Sequence, residues 1–194
     1  MQTLLYIHGF LSSPKSIKAQ QTQQWLSEHY PDTQYLCPYL SSYPSEARKA
    51  LEQLLLPLLE KGIEVGLIGS SLGGYWSTYL AEQYDLRAVL VNPAVKPSLF
   101  LPGYLGKELK NYHTDDVYVL TEKDQQDLRA VDTTDIQRKT SYWLLAQTGD
   151  ETLDYRLAVE KYTGCRQTIE EGGDHGFQNY DRHLPAIYEF LFSR

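Results

Sequence analysis

Five residues near the middle of the chain, Gly69-Ser70-Ser71-Leu72-Gly73, have the types and spacing for nucleophilic chemistry. Ser71 stands at the centre of G-x-S-x-G, with Gly69 and Gly73 two residues to either side; Ser70 fails the same test, because Ile68 and Leu72 flank it. The spacing has a physical reason where a strand turns sharply into a helix. A serine on such an elbow takes a strained backbone conformation that lifts its hydroxyl above the sheet edge. Side chains two residues away would collide across the bend, so glycine is needed there. A helix starting at Leu72 also aims backbone N–H groups at a developing oxyanion. Read alone, the pattern also fits an ordinary glycine-rich turn; its place between a strand-like run (64–69) and a helix-like one (72–84) favours the nucleophile. A phosphate-cradling loop is disfavoured, since Tyr75 rather than Lys follows Gly73-Gly74 and no G-x-G-x-x-G follows the first apolar run.

A serine hydroxyl is a poor nucleophile until a base takes its proton and a carboxylate orients that base. On sheets that carry such an elbow the chain order is serine, acid, histidine. Of the histidines, only His113, His175 and His183 follow Ser71. His175 lies in Gly172-Gly173-Asp174-His175-Gly176, just after the run 167–170, where a loop can hang over the carboxyl edge of a sheet. His113 falls in an irregular stretch and His183 near the start of the last helix, and both read as surface groups. For the acid, Asp150 in Gln147-Thr148-Gly149-Asp150-Glu151 follows the apolar run 142–146 and so reaches the same edge. Asp154 is the alternative, although it falls where a helix begins and reads equally as an N-terminal cap. Asp174 adjoins His175, and neighbouring side chains rarely face each other in the required way. Near the start, His8-Gly9-Phe10 follows the run 4–7, where the second oxyanion donor belongs. The expected donors are the backbone N–H groups of Phe10 and Leu72, with Gly9 allowing the turn and His8 bracing it. No H-x-H or H-E-x-x-H spacing supports a metal site.

The elements that must hold these residues alternate between short β-like runs and amphipathic helical stretches, the pattern of an α/β domain. Runs at 4–7, 34–37, 64–69, 88–91, 142–146 and 167–170 read as strands. Helical stretches follow at 16–30, around 47–58, and at 72–84, 153–162 and 184–192. Pro57 is expected to kink or end the last turn of the second helix, with Gly62 as its stop. Strands separated by single helices cannot be hairpins, so the expectation is a mostly parallel sheet of about six strands with helices on both faces. Residues 94–140 are the least regular, with strand-like character only at 117–120. They read as an insertion with one or two short helices, a small lid, in which Phe100, Leu101, Tyr104 and Leu105 either roof a pocket or form a minor cluster. With 194 residues, a single domain over 1–194 is expected.

Composition narrows the function further. A net charge of −7 disfavours nucleic acid, whose phosphates need a cationic face. Two cysteines, Cys37 and Cys165, are too few for a disulfide framework or a structural zinc cluster. No apolar run approaches about 18 residues, so no membrane span is expected. Met1 to Ile7 shows neither a basic leader nor a small-residue cleavage site, and the reading is a soluble cytoplasmic protein. Sixteen tyrosines are the one compositional oddity; they either line a pocket or, as suits tyrosine, cover half-buried surfaces.

With these parts in order, the sequence resembles α/β-hydrolases, and more narrowly the small bacterial YqiA-type esterases. The resemblance runs through nearly the whole chain. It rests on Leu4-Leu5-Tyr6-Ile7-His8-Gly9-Phe10 with Ser12-Ser13-Pro14, on Gly69 to Tyr75, on Val91-Asn92-Pro93-Ala94-Val95, on Gln147 to Glu151, and on Cys165-Arg166-Gln167-Thr168 leading to Gly172-Gly173-Asp174-His175. The elbow is shared by many hydrolases; the Asn-Pro-Ala-Val and Thr-Gly-Asp-Glu segments together are more specific. The resemblance implies the α/β-hydrolase fold, hydrolysis of short acyl esters, a Ser71–Asp150–His175 triad and no cofactor. The implied partner is a small-molecule ester. A thioesterase or small-amide hydrolase would use the same triad, and a non-catalytic binding module on this scaffold is a further alternative, which the intact serine, acid and histidine argue against. Oligomeric state is not legible in the sequence.

Overall fold

Successive side chains of a strand face opposite ways, and the central strands here are apolar on both. In β1 (Gln2–Ile7) Leu5 and Ile7 enter one core, while Leu4 and Tyr6 enter another on the far side. The same division runs through β3 (Glu64–Ser70), where Leu67 and Ile68 part company, and through β4 (Arg87–Val91) and β7 (Tyr142–Gln147). A strand buried on both faces belongs to a parallel sheet covered by helices. The computed structural model, which describes residues 1–193, has that architecture. Two further strands, β2 (Gln34–Leu36) and β8 (Arg166–Glu170), complete a six-stranded sheet in the order β2-β1-β3-β4-β7-β8, every pair parallel.

One face is covered by α1 (Ile17–His29) and α7 (Leu184–Phe192), through Ala19, Leu26, Ile187 and Leu191. The other is covered by α2 (Pro44–Glu60), α3 (Leu72–Tyr84) and α6 (Tyr155–Lys161), through Leu51, Leu55, Leu80 and Ala158. The structure is therefore a parallel six-stranded sheet with helices on both faces, as expected. The chain steps outward from β1 to β2 and then back past β1 to β3. That reversal leaves a crevice beyond the carboxyl ends of β1 and β3, the usual ligand position in open α/β sheets.

Four expectations need correction. Pro57 does not end α2, which continues to Glu60. Pro57 and Gln53, whose carbonyl would have accepted the missing bond, are both exposed, so water can serve that carbonyl, while buried Leu51 and Leu55 hold the helix down. The stop is Gly62, at φ +67°. The sixth helix begins at Tyr155 rather than Leu153, because the Asp154 side chain caps it by accepting from the N–H of Arg156 (3.0 Å). Residues 94–140 hold more than short helices. Besides α4 (Pro97–Phe100) and α5 (Glu122–Arg129) they form an antiparallel pair, β5 (Glu108–Lys110) with β6 (Val117–Val119). This pair is tied to the loop after β1 by Asn111 Nδ2 donating to the Ser12 carbonyl (2.9 Å) and Tyr112 N–H donating to that of Leu11 (2.8 Å). Tyrosine, too, does more than half-cover the surface, since Tyr6, Tyr142, Tyr162 and Tyr180 are among the largest fully buried side chains. Among the described residues no helix is long and apolar enough to cross a membrane.

Candidate active site

Ser71 is the one residue between β3 and α3, and it turns the chain at φ 55°, ψ −122°. An L residue occupies that region only when its surroundings enforce it. Here the Ser71 N–H donates to the Val91 carbonyl (3.0 Å), and the N–H groups of Gly74 and Ala94 donate back to the Ser71 carbonyl (2.9 Å each). The flanking glycines are a steric requirement. A Cβ on Gly69 would lie 2.3 Å from the Gly73 carbonyl oxygen, and one on Gly73 would lie 1.9 Å from that of Ile7. Ser70, the sequence neighbour, is buried.

The other two groups arrive from strands further along the same edge. β7 delivers Asp150 and β8 delivers His175, each on the loop that follows it. His175 Nε2 lies 3.1 Å from Ser71 Oγ, and its Nδ1 lies 2.9 Å from both carboxylate oxygens of Asp150. The Asp150 side chain is only 2% exposed. Burial pushes its carboxyl up, but the hydrogen bond from His175, those from the N–H groups of Leu153 and Thr152, and the His175 charge together hold it below its ordinary value. It therefore faces His175 as a carboxylate. Asp154 is elsewhere, spent on its helix cap and on Arg156 (2.7 Å). Asp174 turns away to accept from Gln178 Nε2 (2.9 Å), and His183 pairs with Glu170 (2.9 Å).

Gly9 brings the β1 turn against the serine, where an added Cβ would sit 3.2 Å from Ser71 Cβ. The N–H groups of Phe10 and Leu72 have no acceptor among the described residues. His8 holds this turn in place. Its Nδ1 donates to the Gly9 carbonyl (2.9 Å) and its Nε2 accepts from Leu40 N–H (3.0 Å), and burial pushes its imidazole down, keeping it neutral.

Two supporting residues escaped the sequence reading. Asn92, at φ 41° just past β4, donates through Nδ2 to the carbonyls of Asp174 (2.9 Å) and His175 (3.2 Å), and its Oδ1 accepts from Gln147 N–H (2.9 Å). Gln147 Oε1 in turn accepts from the N–H groups of Gln178 (2.8 Å) and Asp174 (3.3 Å). Together they fix the loop that carries His175. Above the serine opens a cavity of ≈290 Å³, with Phe10, Phe100, Tyr104, Tyr112 and Leu153 in its wall. Of the four apolar insertion residues, Phe100 and Tyr104 line it, whereas Leu101 is buried in the core and the partly buried Leu105 packs against it.

A family model described as "Uncharacterised protein family (UPF0227)" matches residues 3–192. A UPF0227 protein from Enterobacter sp. (strain 638) is 25% identical over 193 residues, covering 96% of this chain and 97% of its own. Among solved structures, Est1E from Butyrivibrio proteoclasticus superposes with a TM-score of 0.70 at 15% identity, over 98% of this chain and 86% of its own. The alpha/beta hydrolase domain-containing protein 10 from mouse superposes with a TM-score of 0.71 at 16% identity, over 97% and 89%. At such identities the likeness is one of fold.

Proposed function

We propose that this chain, which belongs to the UPF0227 family of YqiA-type proteins, is a serine carboxylic-ester hydrolase acting on short-chain acyl esters through an acyl-enzyme. The observation that carries the reading is the relay from Ser71 Oγ through His175 to Asp150, with the serine held on a strained strand-to-helix elbow. In the first half-reaction Ser71 Oγ attacks the ester carbonyl while His175 Nε2 takes its proton. The oxyanion forms against the N–H groups of Phe10 and Leu72. His175 then gives the proton to the departing alcohol oxygen, leaving Ser71 acylated. In the second half, water loses a proton to His175 and attacks the acyl carbon, and Ser71 recovers its proton as the acid leaves. Asp150 stays ionised throughout, orienting the ring and stabilising the imidazolium. The insertion at 94–140 serves as a small lid, through Phe100 and Tyr104.

The bounded cavity supports the preference for short acyl groups. The test is hydrolysis of p-nitrophenyl acetate, butyrate and octanoate by the native protein and by Ser71→Ala. Removing the nucleophile costs about 10⁴–10⁶ in kcat, and kcat/KM for acetate or butyrate exceeds that for octanoate. Retained turnover in Ser71→Ala contradicts the nucleophile, and a higher kcat/KM for octanoate contradicts the short-chain reading.

A further inference from the structure

The histidine end of the cavity holds a cation that acyl transfer does not use. Lys18 lies in the first turn of α1, where a positive side chain meets the positive end of the helix dipole and is disfavoured. It is half-buried and lines the cavity beside Ser12, Ser16 and Gly176. Its Nζ donates to the carbonyl of Gly176 (2.6 Å), the residue after His175. An ammonium offers three N–H donors, and that carbonyl occupies one. Asp174 and Asp150 attract it from a distance without forming an ion pair, and burial outweighs them, pulling the amine down to about 8, so it remains charged at neutral pH. Beside the ammonium stand the hydroxyls of Ser12 and Ser16, each able to donate to an anion. The Ser16 hydroxyl, at the N-cap of α1, is buried without a hydrogen-bond partner and does not cap the helix. No acidic residue stands in that first turn either.

Building on the esterase reading, we propose that this end of the cavity binds an anionic group on the alcohol part of the ester, a carboxylate or a phosphate, with Lys18 as the specificity-determining cation. The chemistry fixes the side. His175 Nε2 must hand its proton to the leaving oxygen, so the alcohol lies on the histidine side, where Lys18 is anchored to the next residue. The substrate class is thus an ester of a short acid with an acidic alcohol. A lysine that merely straps the His175 loop would affect neutral and anionic esters alike, and that difference decides between the two roles.

The probes are 3-carboxyphenyl butyrate and 3-carbamoylphenyl butyrate, which share an acyl group and nearly a shape but differ in charge. In the native protein kcat/KM for the carboxylate exceeds that for the amide by about tenfold, mainly through KM, as expected for a hydrogen bond to a charged group. Lys18→Gln brings the ratio to about one or below, Lys18→Arg keeps it above one, and added salt lowers it in the native protein. Binding of both probes to Ser71→Ala, by calorimetry, reads the same preference as an affinity without turnover. A native ratio at or below one, or a ratio that survives Lys18→Gln, overturns the subsite. So does an equal loss on both esters in Lys18→Gln, which is the strap. Selective binding of the carboxylate with hydrolysis of neither ester would overturn the esterase reading and leave the subsite standing.

Discussion

Replacing Asp150 by Asn changes almost no volume and removes one buried negative charge from the ring it faces. The Asn oxygen can keep the N–H groups of Thr152 and Leu153, which Asp150 Oδ1 now accepts at 2.9 Å each. The amide nitrogen then takes the place of Oδ2, 2.9 Å from His175 Nδ1, and as a donor there it favours the ring protonated on Nε2. That tautomer cannot take the Ser71 proton. The charge term alone is large: at an effective dielectric near 20, unit charges about 4 Å apart interact by about 4 kcal/mol, roughly a thousandfold in rate. Reversal of the tautomer brings the expected loss to about 10⁴ in kcat. The control is Asp154→Asn, four residues on, whose carboxylate is exposed and engaged with Arg156. It should lower the melting temperature slightly and leave kcat unchanged. The assay is kcat on p-nitrophenyl butyrate with a melting curve for each variant. A dead Asp154→Asn beside an Asp150→Asn within tenfold of the native rate would refute the assignment.

Stability should respond to acid through the same carboxylate. Because the folded protein holds Asp150 below its ordinary value, its contribution is complete above the unfolded carboxyl value of about 3.9 and is lost as pH falls through the lowered one. The stability gap between the native protein and Asp150→Asn, from urea midpoints at several pH values, should shrink below about pH 4; a widening gap contradicts the direction. Gly73→Ala would place Cβ 1.9 Å from the Ile7 carbonyl oxygen and should cost more than about 4 kcal/mol, whereas Gly103→Ala meets open space and should stay within about 0.5 kcal/mol. Equal unfolding midpoints for the two would remove the steric argument for the elbow. Asn92→Ala strips the His175 loop of two carbonyl ties and should cost about 1–3 kcal/mol of stability and lower kcat as well; a variant with native kcat and melting temperature would show that the loop holds itself.

The sheet was legible because burial on both faces leaves apolar runs bounded by turn residues, as at Leu4 to Ile7 and Val89 to Val91. Ser71 was legible because a tight strand-to-helix bend leaves a steric trace two residues either side. Asp150 and His175 followed from their places just past strand ends. What escaped had no periodic trace. β5, Glu108–Lys110, is three residues with one buried side chain, and it exists only by pairing with β6. Pro57 obeyed the helix around it because the lost bond faces water. Asn92 and Gln147 act on the backbone of a loop more than 25 residues away in sequence, and Asn92-Pro93 reads locally as a strand stop. Their trace, visible afterwards, is a polar residue directly after the apolar run of each of two adjacent strands, Ala88 to Val91 and Tyr142 to Ala146. Lys18 left a trace of another kind, a cation in the first turn of a helix, against the local electrostatic preference.

The central claim is that Ser71 is an activated nucleophile, and covalent labelling tests it without assuming a substrate. The folded protein is treated with a fluorophosphonate, digested, and its peptides are weighed. The account predicts about one label per chain, carried by Ser71, abolished in Ser71→Ala and strongly slowed in His175→Ala. A folded protein that takes no label, or one labelled at Ser70 instead, would contradict it.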